Sequence, residues 1–136
     1  MIIREYKEYN EEEILKLYSD AGWIAYTRDP DSLRRGYENS LLILAAYEGD
    51  DLMGLIRVVG DGATVILVQD ILVYKRYQRQ GVGAALLKEV LERFGDVRQI
   101  ELVTDDTEKT KAFYRSVGFM SLQESGCMGF VKWGEN

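Results

Sequence analysis

Hydrophobic and polar positions alternate between two periods along this chain, and the switches mark out its elements. Residues 2–6 read as a short strand. Asn10 with Glu13 three residues later forms a capping-box start, and Ile14, Leu17 and Tyr18 then share one helical face that Gly22 ends. Asp29-Pro30 opens a second helix through Leu33 and Tyr37 to about Asn39. Three strand-like runs follow, at 41–47, 52–59 and 64–73, separated by the turns Glu48-Gly49-Asp50-Asp51 and Gly60-Asp61-Gly62. Such short turns predict an antiparallel meander.

The period then lengthens. Gly83, Leu86, Leu87, Val90, Leu91 and Phe94 recur at helical spacing, with Lys88, Glu89, Glu92 and Arg93 on the other face, which predicts a long helix over 81–94. A strand is expected at 99–104. A last helix opens near Asp105 to Glu108, with Ala112, Phe113 and Val117 facing inward and Gly118 as its stop. Strands at 119–122 and 128–133 complete the pattern. The order predicts one α/β domain over residues 1–136, a mostly antiparallel twisted sheet of six to seven strands flanked by about four helices.

Charge and composition narrow the function. The 136 residues carry 17 Lys and Arg against 23 Asp and Glu, a net charge of −6. That balance lacks the basic footprint a nucleic-acid partner requires. There is no histidine and one cysteine, Cys127, so no intrachain disulfide, no imidazole base and no Cys/His zinc set is available. We expect no metal, and a buried Cys127 in a reducing cytoplasm. The longest apolar stretch, 63–73, is broken by Thr64, Gln69 and Asp70, so no membrane span and no signal peptide are expected.

The chemistry concentrates where the third meander strand meets the long helix. Ile71-Leu72-Val73 runs into a loop bearing Lys75, Arg76 and Arg79, and Gly81-Val82-Gly83 opens the helix. Glycines let a ligand approach the backbone, and the first N–H groups of a helix lack intrahelical acceptors. That arrangement suits a phosphate. The segment lacks a P-loop lysine, and Leu86 stands where a dinucleotide fingerprint has its third glycine. The helix also follows a meander in this reading instead of opening a βαβ unit.

The segment Gln78-Arg79-Gln80-Gly81-Val82-Gly83 matches [QR]-x-x-G-x-[GA], and Ala112-Phe113-Tyr114-Arg115-Ser116-Val117-Gly118-Phe119 matches a second signature downstream. In both, and in element order, the chain resembles the GNAT superfamily of acetyl-CoA-dependent N-acetyltransferases. The resemblance implies that Gln78, Arg79, Gln80, Gly81, Val82, Gly83 and Ala84 hold the coenzyme's pyrophosphate. It implies that Ile71, Leu72 and Val73 pair with the pantetheine arm, with the N–H of Leu72 or Ile71 polarising the thioester carbonyl. Tyr114 would protonate the departing thiolate. Thr107 stands where the family commonly carries Asn, and still offers a donor and an acceptor to the pantetheine.

The acceptor side is read from the residues around Gly22-Trp23-Ile24-Ala25-Tyr26, where Trp23 and Tyr26 are candidate pocket walls. Asp70 and Glu101 are candidate bases. Asp70 interrupts an apolar strand, and its other reading is a carboxylate satisfied within the fold. Arg57 either lines the acceptor pocket or pairs with Asp70. The expected activity is direct acetyl transfer from acetyl-CoA to a primary amine of a small molecule or peptide, by an enzyme that forms a homodimer. The alternative is a non-catalytic acyl-CoA-binding module of the same fold.

Overall fold

The computed structural model describes residues 1–134, which fall into two compact units, Met1–Val103 and a second that begins at Thr104. The first contains β1 (Ile2–Glu5), α1 (Glu11–Asp20), α2 (Ile24–Thr27), α3 (Pro30–Glu38), β2 (Leu42–Glu48), β3 (Asp51–Gly60), β4 (Val65–Val73), α4 (Val82–Arg93) and β5 (Gln99–Leu102). A single 3-10 turn, Lys75–Tyr77, joins β4 to α4. The second unit holds α5 (Glu108–Ser116).

Local chemistry sets most helix starts. Asn10 caps α1 by accepting the Glu13 N–H, and Asp29 caps α3 by accepting that of Ser32, with Pro30 in the first turn. The hydrophobic stripes then choose the buried faces. Ile14, Leu17 and Tyr18 of α1 and Leu33 and Tyr37 of α3 pack with Ala45, Leu55 and Leu72 of the sheet. Strand β3 is buried from Leu52 to Val58, as a strand covered on both faces must be.

The sheet runs in the order β1-β2-β3-β4-β5. The first three ladders are antiparallel, and β5 pairs parallel to β4. Two expectations are corrected here. The sheet has five strands instead of six to seven, and β4–α4–β5 is a βαβ unit. A helical crossover brings the chain back in its starting direction, so β5 can only join β4 in parallel. The helices number five among the described residues, the short α2 having no periodic signal of its own.

Neither expected strand after α5 forms: 128–133 enters no ladder, and around 119–122 the neighbouring backbone groups are spent locally. Gly118, at φ 97°, ends α5, with Gly118 N–H on Arg115 O at 3.1 Å and Phe119 N–H on Tyr114 O at 3.0 Å. Ser121 then caps a turn in which Ser125 and Cys127 both donate to Leu122 O. Cys127, in this turn, is exposed and not buried. Ala112 is likewise exposed, while Phe113, Tyr114 and Val117 are half-buried.

The β3–β4 turn is held by Asp61. Its Oδ1 accepts the N–H groups of Ala63 and Thr64 at 2.8 Å and of Val65 at 3.1 Å, and its Oδ2 accepts the Thr64 hydroxyl. These bonds, the Thr64 hydroxyl foremost, hold its carboxyl well below the usual carboxylate range. A depressed value contributes stability that is present above the unfolded carboxylate's pKa of about 3.9 and is lost as pH falls. Asp61→Ala is therefore expected to lower the melting temperature at pH 7, and the gap from wild type should close on acidification. A gap of the same size at pH 7 and at pH 2 would show that the charge of Asp61 is not what holds the turn.

Candidate active site

Strands β4 and β5 part company halfway. Their ladder covers Val65 to Val68 of β4 and stops at Leu102, whereas β4 runs on to Val73 paired with β3 alone. The departure coincides with a bulge. Arg57 pairs with Asp70 and Val58 with Val68, which leaves Gln69 as the extra residue. Beyond it, Tyr74 N–H bonds to Met53 O at 2.9 Å. Backbone groups alternate along a strand, so the Leu72 N–H also faces β3 and those of Ile71 and Val73 face the open edge. Of the two candidate donors, Ile71 is the one whose N–H this alternation leaves free.

The helix that follows begins without a cap. Gly81 occupies the N-cap position at φ 81°, ψ 12°, and no side chain bonds to the first turn. Ala85 N–H closes the first intrahelical bond onto Gly81 O at 3.0 Å. The N–H groups of Val82, Gly83 and Ala84 precede that bond and point out along the positive end of the helix. Arg79 is the one non-glycine residue with positive φ, 66°, among those described. Such a conformation costs an L-residue roughly 1–2 kcal/mol, and it falls two residues before the helix start at Gly81.

Nothing lies within 4 Å of the point a Gly81 Cβ would take. A Gly83 Cβ would sit 3.8 Å from Val73 Cγ2 and 3.9 Å from Ile71 Cγ2, so α4 begins directly over the open stretch of β4. The side chains of Gln78 and Gln80 fold back onto Val73 O and Arg76 O, at 3.3 and 3.4 Å. Asp20 of α1 anchors the loop by accepting the Lys75 N–H at 2.9 Å.

On the other face of β4 lies a buried polar cluster. Asp70 is 1% exposed, and its Oδ2 accepts Arg57 Nε at 2.7 Å and the Tyr18 hydroxyl at 2.6 Å. With its proton on Asp70, Tyr18 accepts from Tyr37 at 3.0 Å. Burial and the neighbouring Tyr37 and Asp70 hold the Tyr18 phenol far above its ordinary value, so it stays a neutral donor. Arg57 also donates to Ser40 Oγ at 3.3 Å and lies over the Tyr37 ring. Asp70 Oδ1 is buried with no hydrogen-bond partner.

Tyr18 also ties this cluster to the segment after α1. Its ring centroid is 5.9 Å from that of Trp23 and 5.3 Å from that of Tyr26, and those two rings are 5.8 Å apart. Gln69, on the bulge, donates to the Tyr26 hydroxyl at 3.1 Å. Two successive residues of the bulge thus hold two aromatic residues of α1 and α2. Glu101, the second candidate base, is held by the Gln99 side-chain amide.

In the second unit, Thr107 caps α5, its hydroxyl accepting the Thr110 N–H at 3.2 Å. Tyr114 packs edge-on against Phe113 and Phe119, with centroids at 5.0 and 6.0 Å. Burial raises its pKa above the ordinary phenol value, against the opposing effect of a hydrogen bond with Thr104. Among the described residues no helix is long and apolar enough to cross a membrane, and no group of three His, Cys, Asp or Glu is placed to hold a metal.

Comparison with known proteins bears on these features together. The model of the acetyltransferase (GNAT) domain matches residues 5–133. The chain belongs to the GNAT acetyltransferase family. A GNAT-family acetyltransferase of Streptococcus pneumoniae TIGR4 has a structure that superposes with a TM-score of 0.88 at 38% identity, over 99% of this chain and 98% of that one. A probable acetyltransferase of unknown function from meticillin-resistant Staphylococcus aureus gives 0.77 at 25% identity, over 97% and 100%. A probable acetyltransferase of Glycine max is 29% identical over 77% of this chain, and this chain spans 46% of its length.

Within this GNAT chain, the glycine turn and the strand end signalled themselves by local pattern. Tyr18, Tyr37, Ser40 and Gln69 did not. Tyr18 and Tyr37 read as apolar members of helix faces, and Gln69 as a mere interruption of a strand. The one available signal was Asp70 itself, since a carboxylate in an apolar strand demands partners.

Proposed function

We propose that this chain is a single N-acetyltransferase domain over 1–136 that carries the acetyl group of acetyl-CoA directly to a primary amine of a small molecule or peptide. We place it in the cytoplasm, as a homodimer. The observation that carries the reading is the uncapped start of α4 set over the unpaired stretch of β4. The first offers N–H donors to a pyrophosphate, and the second offers backbone groups to an extended, amide-bearing arm. Acetyl-CoA carries both chemical features and, when bound, supplies the activated acetyl group.

Each residue then has a task. Gln78 to Ala84 receive the phosphates, and Ile71 to Val73 pair with the arm, with Thr107 as a further polar contact. The Ile71 N–H donates to the thioester carbonyl oxygen, where negative charge grows as the amine attacks. As the N–C bond forms and the C–S bond breaks, Tyr114 gives its proton to sulfur, and the amine's surplus proton passes to water. The role of Tyr114 rests on its motif and on a pKa raised by burial, which keeps it protonated.

Trp23 and Tyr26 form the acceptor wall. Asp70 and Arg57 serve it as positioning residues, because Asp70 Oδ2 is already taken up by Arg57 and by Tyr18, whose ring packs against Trp23 and Tyr26.

Titration calorimetry with acetyl-CoA and with CoA tests the cradle, and one site per chain is expected. Tyr114→Phe should lower kcat by about tenfold or more with little change in coenzyme affinity. In the wild type, kcat should not fall through loss of this proton until the pH passes above about 10. Unchanged turnover in the variant removes Tyr114 from the mechanism. Tight binding without thiol release across a panel of amines would leave an acyl-CoA-binding module.

A further inference from the structure

Helix α1 ends against its own dipole. Asp20 is its last residue, and its last turn carries no basic residue. A carboxylate there opposes the partial negative charge of the unpaired carbonyls. A residue that breaks a local rule points to a task elsewhere in the fold. Asp20 Oδ2 accepts the Lys75 N–H at 2.9 Å, from 55 residues away in sequence. Lys75 opens the turn Lys75–Tyr77, and Tyr74, at its N-cap, makes no side-chain cap bond. The first N–H groups of a helical turn have no partner within it. Asp20 therefore caps, from another element, the turn that leads into the Gln78 to Ala84 cradle.

An open groove of about 760 Å³ lies between α1 and this loop, with Glu12, Lys16, Asp20, Tyr74 and Arg76 among its walls. The Asp20 bond joins its two sides. The same end of α1 aims the acceptor wall. Gly22, at φ 76°, donates its N–H to Ser19 O at 3.0 Å, and Trp23 donates to Tyr18 O at 3.1 Å. This pair of bonds is a glycine helix stop, and it ties Trp23 to the turn that Asp20 occupies.

We propose that Asp20 is a positioning residue that links the two substrate sites of this chain. One hydrogen bond joins the turn entering the coenzyme cradle to the helix end that carries Trp23. Phosphates that settle the loop thereby settle Trp23, through the Lys75 N–H, Asp20 and the glycine stop. Coupling of this kind needs a physical link between the sites, and it is reciprocal, so an acceptor held at Trp23 favours the coenzyme in turn. The inference rests on the coenzyme and acceptor sites proposed above.

Nuclear magnetic resonance spectra of the isotope-labelled full chain, titrated with CoA, test it. In the wild type the amides of Gly81 to Ala84 and the Trp23 indole N–H should both shift. Trp23 is one of two tryptophans, so Trp133→Phe assigns its signal. Asp20→Ala should weaken CoA binding by about tenfold and, at saturation, leave the Trp23 indole unmoved. Asp20→Asn keeps an acceptor oxygen and should restore both. Lys75→Pro deletes the donor from the other side, at a turn start that suits proline, and should also lose the Trp23 response. Lys75→Ala keeps the N–H and should keep that response.

The spread of amide signals reports whether each variant is folded. Because Asp20→Ala and Lys75→Pro break one bond from opposite sides, either decides the matter if the other does not fold. A Trp23 response that survives saturation in either variant overturns the inference, since the link would then run along β4 through Gln69 and Tyr26. A wild-type Trp23 indole that ignores bound CoA, or an Asp20→Ala affinity within about twofold of wild type, overturns it as well. Cradle amides that do not respond in the wild type would overturn the coenzyme site itself, and this inference with it.

Discussion

Asp70→Ala is expected to lower the melting temperature by roughly 10–20 °C. The carboxylate is 1% exposed and its partner Arg57 is 6% exposed. Removing it strands a buried guanidinium and leaves the Tyr18 hydroxyl with the Tyr37 hydroxyl alone as partner. Breaking a buried ion pair from one side costs about 3–5 kcal/mol. For a chain of this length, each kcal/mol moves the midpoint by about 3–5 °C. Replacing both partners, as in Asp70→Leu/Arg57→Met, should recover much of the loss, because no uncompensated charge then remains. Calorimetric melts of the two variants decide the point. A shift under about 3 °C for Asp70→Ala would mean that the cluster is dispensable.

Asp70→Asn separates structure from catalysis. It keeps an acceptor for Tyr18 and loses the charge. If Asp70 only positions the aromatic residues, the folded variant keeps the wild-type pH profile and any loss appears in KM for the amine. Disappearance of an acidic limb from the profile would instead make Asp70 the base.

The second large effect is expected at the helix start. Gly81→Glu should weaken acetyl-CoA binding by about a hundredfold or more. Two like charges about 4 Å apart repel by about 4 kcal/mol at an effective dielectric near 20. The open space around Gly81 means the side chain fits, so the fold survives with a modest penalty for φ 81°. Gly81→Ala isolates that penalty. Gly83→Ala is the control, since its Cβ makes only ordinary contact with Ile71 and Val73. Titration calorimetry beside thermal melts separates binding from folding. Wild-type affinity in folded Gly81→Glu would put the phosphates elsewhere.

Much of the site was legible because its geometry is local. A helix start depends on the few residues around it, so Gly81 and Gly83 announced the cradle, and Asn10 and Asp29-Pro30 announced α1 and α3. The Ile71 to Val73 strand end was equally plain. The structure added which N–H faces the open edge, a matter of register with β3 that the residues of β4 cannot state. It also showed Thr107 at work as the cap of α5.

Other features depended on partners far along the chain. Asp70 stood out as an anomaly, but Tyr18 lies 52 residues away and Arg57 lies 13 away. The excess strand count had the same origin. Residues 119–122 and 128–133 have strand composition, yet a strand exists only where a neighbour offers a ladder, and α5's end and the Ser121 turn absorb the nearby groups.

By itself the sequence determined the helices α1, α3, α4 and α5, the β2–β3–β4 meander, the glycine turn and the family, because caps, turns and periodicity act over a few residues. Only the tertiary structure decided that β5 joins in parallel and leaves β4 open beyond Val68, and that Asp70 belongs to a buried ion pair. Those outcomes depend on which distant segments meet, and a linear pattern of polar and apolar residues fixes which face is buried without naming what covers it.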